Sequence, residues 1–145
     1  MSRLADSPSA WLNHLMEKTD CPFCRLEERR ILLENEFAVA FPDGFPIAEG
    51  HTLVVPRRHA TSLFDLTAEE QAAMWTLVAL VRAELMAELR PDGFNVGLND
   101  GAAAGQTVMH AHVHIIPRRR GDSEDPRGGV RWVLPKKAQY WGEGH

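Results

Sequence analysis

A chain of 145 residues, 44% hydrophobic and 25% charged, has the make-up of one soluble globular domain; it is too short for two and too apolar for a disordered chain. A net charge of −4 excludes a broad basic surface of the kind that nucleic acid requires. No apolar run approaches membrane-spanning length and no basic-then-apolar leader is visible, which predicts a cytoplasmic protein with no membrane segment.

All 145 residues are expected to form a single domain, with residues 1–19 as a leader and residues 121–145 as a tail. Within the leader, Ala10, Trp11, Leu12, Leu15, Met16 and Glu17 suit a short amphipathic helix. Cys21-Pro22-Phe23-Cys24 then reads as a tight turn, because proline fixes one backbone angle and two residues separate the thiols. A single close pair of cysteines is no secreted disulfide framework, which agrees with a reducing compartment. The segments 31–33 and 37–41 are β-suited and are split by Glu34-Asn35-Glu36, so a hairpin is predicted. Turn formers from Pro42 to Pro46 end the second strand and leave Asp43 at a strand-to-loop junction. The run from His51 to Val55 makes a third strand, stopped by Pro56.

Thr67 and Glu70 have capping-box spacing, and a stripe of Met74, Leu77, Val78, Val81, Leu85 and Leu89 predicts one long helix ended by Pro91 and Gly93. Met74 and Trp75 are expected in its core. The stretch from Asn95 to Pro117 should supply two more strands around the loop Asp100 to Gly105. In the second of these, His110, His112 and His114 alternate with Ala111, Val113 and Ile115, so the three rings share one strand face, roughly 6.7 Å apart along it. The order of elements has no βαβ alternation, and the predicted class is α+β with a mainly antiparallel sheet, one long helix and short helices.

Several residues are suited to chemistry. Two thiolates from Cys21 and Cys24 with imidazoles from His59 and His110 satisfy the tetrahedral preference of zinc, while the cysteine pair taken alone equally suits a redox couple or two free thiols. A closed site with four protein ligands would be structural. The three alternating histidines suit either a catalytic metal or a nucleophilic ring held by its neighbours, and they carry too much polar surface for core filler. Gly101 and Gly105 permit close backbone approach, and Gly105-Gln106-Thr107 can aim amides and a hydroxyl at an anion, although any tight hairpin needs small residues too. Arg118 to Arg120 is a solvated strand end or a rim that attracts phosphate.

At these residues the chain resembles the histidine triad superfamily of nucleotide-binding hydrolases and transferases. The pattern H-x-H-x-H followed by two hydrophobic residues is met by His110-Ala111-His112-Val113-His114-Ile115-Ile116. Asn99 to Thr107 resembles the family's phosphate loop, Gly50 to His59 resembles its earlier strand, and the similarity spans residues 20 to 118.

The resemblance implies a histidine-triad fold and hydrolysis of a purine nucleoside phosphoramidate or a dinucleoside polyphosphate, with release of a nucleoside monophosphate. His112 matches the nucleophile that forms a nucleotidyl-imidazole intermediate, and His114 matches a contact to a phosphate oxygen. Asn99, Gly105, Gln106 and Thr107 match the positions that hold phosphate and leaving group, with Thr107 standing where many members have Ser. Asp43 matches the carboxylate on the ribose, and Phe41 flanks the base. The zinc-containing branch implies a structural zinc on Cys21, Cys24, His59 and His110, and family members pair as homodimers through the long helix and a shared sheet. His51 either supports the site from behind or is a structural hydrogen-bonding histidine. The rival expectations are a metal-dependent hydrolase with His110, His112 and His114 as ligands, and a nucleotide-binding regulator with incidental catalysis.

Overall fold

The computed structural model describes residues 20–142, so the expected helix at residues 10–17 lies outside the described residues. In chain order the elements are β1 (Leu33–Glu34), β2 (Ala38–Pro42), β3 (Thr52–Pro56), α1 (Ala68–Leu89), β4 (Gly93–Gly97), β5 (Val113–Arg118) and α2 (Pro135–Ala138), with 3-10 turns between them. The five strands form one antiparallel sheet in the order β1-β2-β3-β5-β4, which is the predicted α+β arrangement. No helix of the described residues is long and apolar enough to cross a membrane.

Strand alternation gives the sheet two different faces. Ala38, Ala40, Val54, Val113 and Ile115 point to one side and pack with Met74, Leu77, Val78, Val81 and Leu85 of α1. Val39, Phe41, Leu53 and Val55 point to the other, where Phe23, Leu26 and Ile31 cover them. The second face is where the site lies. α1 starts as its sequence predicts: the Thr67 hydroxyl accepts from the Glu70 amide at 3.1 Å, and the Glu70 carboxylate accepts from the Thr67 amide at 3.0 Å. Arg58 also donates to both Glu70 carboxylate oxygens, at 3.0 and 2.8 Å, which holds that carboxyl down at about 2. The helix ends at Leu89 and is capped by Arg90, which precedes Pro91 and whose φ of 47° places it in the left-handed region.

Three expectations are corrected. Trp75 is 44% exposed, because it lies about 100° around the helix from the buried Met74 and so faces away from the sheet. The first hairpin turns at residues 35–37, with β1 shortened to Leu33–Glu34. Asn35 makes this turn by accepting from the amides of Phe37 and Ala38 and donating to the Ala73 carbonyl of α1. Finally, the strand expected to carry all three histidines begins only at Val113, so His114 alone belongs to it. Upstream, the Ala111 amide donates to Ala60 at 2.7 Å, and this bond draws residues 110–112 away from the ladder. The opposite face keeps its predicted pattern, with Ala111, Val113 and Ile115 all buried in the core.

Candidate functional site

The Cys21-to-Cys24 turn, closed by the Cys24 amide donating to the Cys21 carbonyl at 3.2 Å, lies beside the segment that leads into β5. The Sγ atoms of Cys21 and Cys24 lie 3.4 and 3.5 Å from His110 Nδ1, and His59 Nδ1 lies 3.2 Å from both Cys24 Sγ and His110 Nδ1. A tetrahedral ion with bonds of about 2.0 Å to nitrogen and 2.3 Å to sulfur sets its donors about 3.3–3.8 Å apart. These four distances suit a metal ion, and all the donor atoms of the four residues lie within 4.8 Å of one another. The His110 tautomer fits as well. Its other nitrogen, Nε2, lies 2.8 Å from the Pro56 carbonyl, which can only accept, so Nε2 carries the proton and Nδ1 presents its lone pair to the cluster. Burial holds His110 neutral, with its pKa lowered to about 4.

His112 is oriented in the opposite sense. Its Nδ1 lies 2.8 Å from the His110 carbonyl, so Nδ1–H donates and the lone pair resides on Nε2. Phe23, between the two cysteines, packs edge-on to His110 and to His112 with ring centroids 5.8 and 5.1 Å away, and thus connects the cysteine–histidine cluster to the cleft.

A second group joins Asp43, His51 and His114. The Ile47 amide donates to His51 Nδ1 at 3.2 Å, which leaves the proton of neutral His51 on Nε2. That Nε2–H faces His114 Nδ1 at 2.9 Å and Asp43 Oδ2 at 3.3 Å. His114 accepts at Nδ1 and in turn carries its own proton on Nε2. Metal binding at His51 Nε2 would shift the proton to Nδ1, against the Ile47 amide, so this group is a hydrogen-bond relay although its donor atoms are close enough for a metal. Burial lowers the pKa of His51 and His114, opposed in each case by Asp43. Among the described residues, His110, His112 and His114 do not form a three-ligand group.

His51, His112 and His114 open on a cleft of about 720 Å³ on the sheet face away from α1. Its lining includes Phe41, Asp43, Asn99, Gly105, Thr107, His112 and His114, so the predicted site residues are largely brought together. Gly105 has φ 98°, a left-handed conformation that closes the 3-10 turn Ala102–Ala104 and lies against the Asn99 side chain. Gln106 differs from the rest, since it is buried and does not line the cleft. Its side chain accepts from the Gly101 amide at 2.9 Å and donates to the Thr61 and Val108 carbonyls at 2.8 and 3.1 Å, bracing the loop from within.

Sequence reasoning missed several contributors, among them Phe23, Arg30, Val130 and Val133. Phe23 was legible as the apolar residue inside the cysteine pair. Arg30 stands over the Phe41 ring at 5.6 Å and donates to the Pro42 carbonyl, which no local pattern signals. Val130 and Val133 belong to a tail whose return to the cleft has no sequence marker.

The chain is 41% identical over 110 residues to an uncharacterised HIT-like protein of Mycoplasma genitalium, covering 71% of this chain and 78% of that one. A bis(5'-adenosyl)-triphosphatase of Dictyostelium discoideum is 34% identical over 100 residues, covering 69% and 67% of the two chains. Among solved structures, a zinc-bound histidine triad family protein from Mycobacterium smegmatis superposes with a TM-score of 0.66 at 36% identity, covering 74% of this chain and 81% of that one. The HIT domain model matches residues 26–121, which contain the whole cleft except Pro22, Phe23 and the tail, and the chain belongs to the HIT family.

Proposed function

We propose that this protein hydrolyses a purine nucleoside phosphoramidate or a dinucleoside polyphosphate at the α-phosphorus through a covalent nucleotidyl-His112 intermediate, releasing a nucleoside monophosphate. The observation that carries this reading is the 2.8 Å hydrogen bond from His112 Nδ1–H to the His110 carbonyl, which reserves the Nε2 lone pair for attack. That lone pair forms the phosphorus–nitrogen bond as the bond to the leaving group breaks. The leaving group departs with the bonding electrons, an amine taking its proton from solvent. Water then attacks phosphorus, the phosphorus–Nε2 bond breaks with its electrons returning to the ring, and the water proton is released. The relay leaves His114 with an Nε2–H to donate to a phosphoryl oxygen as charge develops there. Asn99, Gly105 and Thr107 line the phosphate end, and Gln106 acts through the loop it braces. Asp43 takes the ribose hydroxyls, and Phe41 flanks the base.

The Dictyostelium relative supports the nucleotide reading by its name, and the zinc-bound neighbour supports a metal at the cysteine–histidine cluster. A zinc ion on Cys21, Cys24, His59 and His110 would be structural, clamping the residue whose carbonyl fixes the His112 tautomer. A homodimer belongs to the same proposal: β4 is an edge strand of the sheet, and Trp75 and Leu80 are exposed on α1. Light scattering should give about twice the 16.3 kDa chain mass, and a value near one chain would refute pairing.

The testing experiment is a panel of nucleoside phosphoramidates and dinucleoside polyphosphates offered to wild type and His112→Asn. The expected result is monophosphate release by wild type and loss of at least about three orders of magnitude in the variant, the usual scale for removing a nucleophile. Full activity in the variant refutes the assignment, and tight monophosphate binding without turnover of any substrate would instead favour a nucleotide-binding regulator.

A further inference from the structure

We infer that Cys21 and Cys24 form a site of reversible oxidation: peroxide closes them into a disulfide, which releases metal from the cluster and moves Phe23 away from His112. The oxidation site stands independently of the proposed reaction, and its effect on turnover rests on that reading.

The two thiols are placed for this bond. They are the chain's two cysteines, and their Sγ atoms lie 3.4 and 3.5 Å from the same nitrogen, His110 Nδ1. The Cys24 amide donates to the Cys21 carbonyl at 3.2 Å, the closing bond of a β-turn, which keeps the two Cα atoms within about 7 Å. Disulfides bridge Cα atoms about 4.4–6.8 Å apart, so this turn can close one by side-chain rotation with little backbone movement.

Their surroundings give the two sulfurs different parts. Cys24 is exposed and, with His59, lines a cavity of about 910 Å³ that shares only Phe23 and Leu26 with the nucleotide cleft. Cys21 is buried, at 7% exposure. Peroxide therefore meets Cys24 first, from a side that a bound nucleotide does not block. The Cys24 thiolate attacks one peroxide oxygen as the O–O bond breaks and hydroxide leaves, giving a sulfenic acid. The Cys21 thiolate then attacks the Cys24 sulfur; the S–S bond forms, and the S–O bond breaks with its electrons as a second hydroxide. Each sulfur is oxidised by one electron, and peroxide takes up both.

Closing the bond has two effects. Metal binding needs thiolates, and a disulfide leaves only His59 and His110 of the four donors. Phe23, meanwhile, sits inside the loop that the bond closes. Its ring centroid is 5.8 Å from that of His110, 5.1 Å from His112 and 5.5 Å from Phe41, and it lines both the cavity and the cleft. Drawing the sulfurs together turns the residues between them, so the Phe23 ring leaves the edge of His112. The His110 Nε2–H bond to the Pro56 carbonyl involves neither sulfur, so the change stays local to the turn.

The test treats zinc-loaded, full-length protein with a modest excess of hydrogen peroxide, removes the excess with catalase, and reads three quantities without nucleotide. Intact mass should fall by about 2 Da, with the peptide containing Cys21 and Cys24 protected from alkylation; dithiothreitol should reverse both, whereas methionine oxidation adds about 16 Da and survives that reductant. Zinc, followed with a chromophoric chelator, should be released as the mass changes. Ring signals of His112 in nitrogen-correlated NMR should shift on oxidation and return on reduction. An unchanged mass, a sulfinic acid in place of the disulfide, zinc retained by the oxidised protein, or unmoved His112 signals overturns the inference, as does a Cys24→Ser variant that still cycles. Turnover of a nucleoside phosphoramidate is scored separately and should fall about tenfold or more on oxidation, the scale of a displaced reacting group. Equal turnover in both states overturns the effect on turnover. No hydrolysis by the reduced protein refutes the hydrolase reading, while mass, zinc and ring signals still decide the oxidation site.

Discussion

Removing metal from the cysteine–histidine cluster should lower the stability of the fold. Four of the donor-to-donor distances are 3.2–3.5 Å, all lie within 4.8 Å, and His110 Nδ1 already presents its lone pair, so binding needs little rearrangement. The unfolded chain has no such site: Cys24 and His110 are separated by 86 positions. Binding free energy at the cluster is therefore folding free energy. Free zinc at about 100 times its dissociation constant contributes about 2.7 kcal/mol, and tighter binding contributes more. For a domain of this size that corresponds to at least about 8 °C in melting temperature. Differential scanning calorimetry of zinc-free protein, with and without equimolar zinc, measures the shift. Cobalt substitution should add thiolate-to-metal absorption in the near ultraviolet, which is lost in Cys21→Ser. A shift below about 2 °C together with no thiolate band would refute the site.

Other outcomes follow from the same geometry. His51→Leu should reduce kcat/KM about 10- to 100-fold, mostly through kcat, because the Nε2–H that fixes the His114 tautomer is lost at a cost of about 1–3 kcal/mol; an unchanged kcat would remove His51 from the relay. Gly50→Ala should destabilise the fold by about 2 kcal/mol or more, since φ is 85° and a Cβ would lie 2.6 Å from Leu89 Cδ1. Denaturant midpoints measure that loss, and a neutral result contradicts the packing. Burial lowers the pKa of His51 and His114 below the ordinary 6.5. Below 6.5 the unfolded state thus binds more protons than the native one. Their contribution to stability is complete above that pH and declines as pH falls toward the native values, so the midpoint should be lower at pH 5 than at pH 7.5. A midpoint that rises on acidification would contradict the burial of these rings.

Elements governed by local chemistry were legible in the sequence. The Thr67–Glu70 capping box, the stripe of α1, the Cys21-to-Cys24 turn and the buried alternation of Ala111, Val113 and Ile115 all follow from neighbours within a few residues. Features decided by distant partners were not. Strict alternation suggested one strand for all three histidines, yet the Ala60 carbonyl and the cluster around His110 bend the chain before Val113. Gln106 reads as a phosphate ligand by its position in the loop, while its amide is committed to Gly101, Thr61 and Val108. Trp75 follows a core methionine and faces outward. The placement of Val130 and Val133 at the cleft is a tertiary arrangement that hydrophobic periodicity does not encode.

The central claim is that His112 Nε2 becomes covalently attached to the nucleotide. Wild type mixed with a nucleoside phosphoramidate, quenched within milliseconds under alkaline denaturing conditions that preserve phosphoimidazole bonds, can be weighed intact and mapped by peptide mass spectrometry. The account predicts a transient species heavier by one nucleoside monophosphate less water, located on the peptide that contains His112 and absent from His112→Asn. An adduct on another histidine, or rapid turnover with no adduct at any quench time, would contradict it.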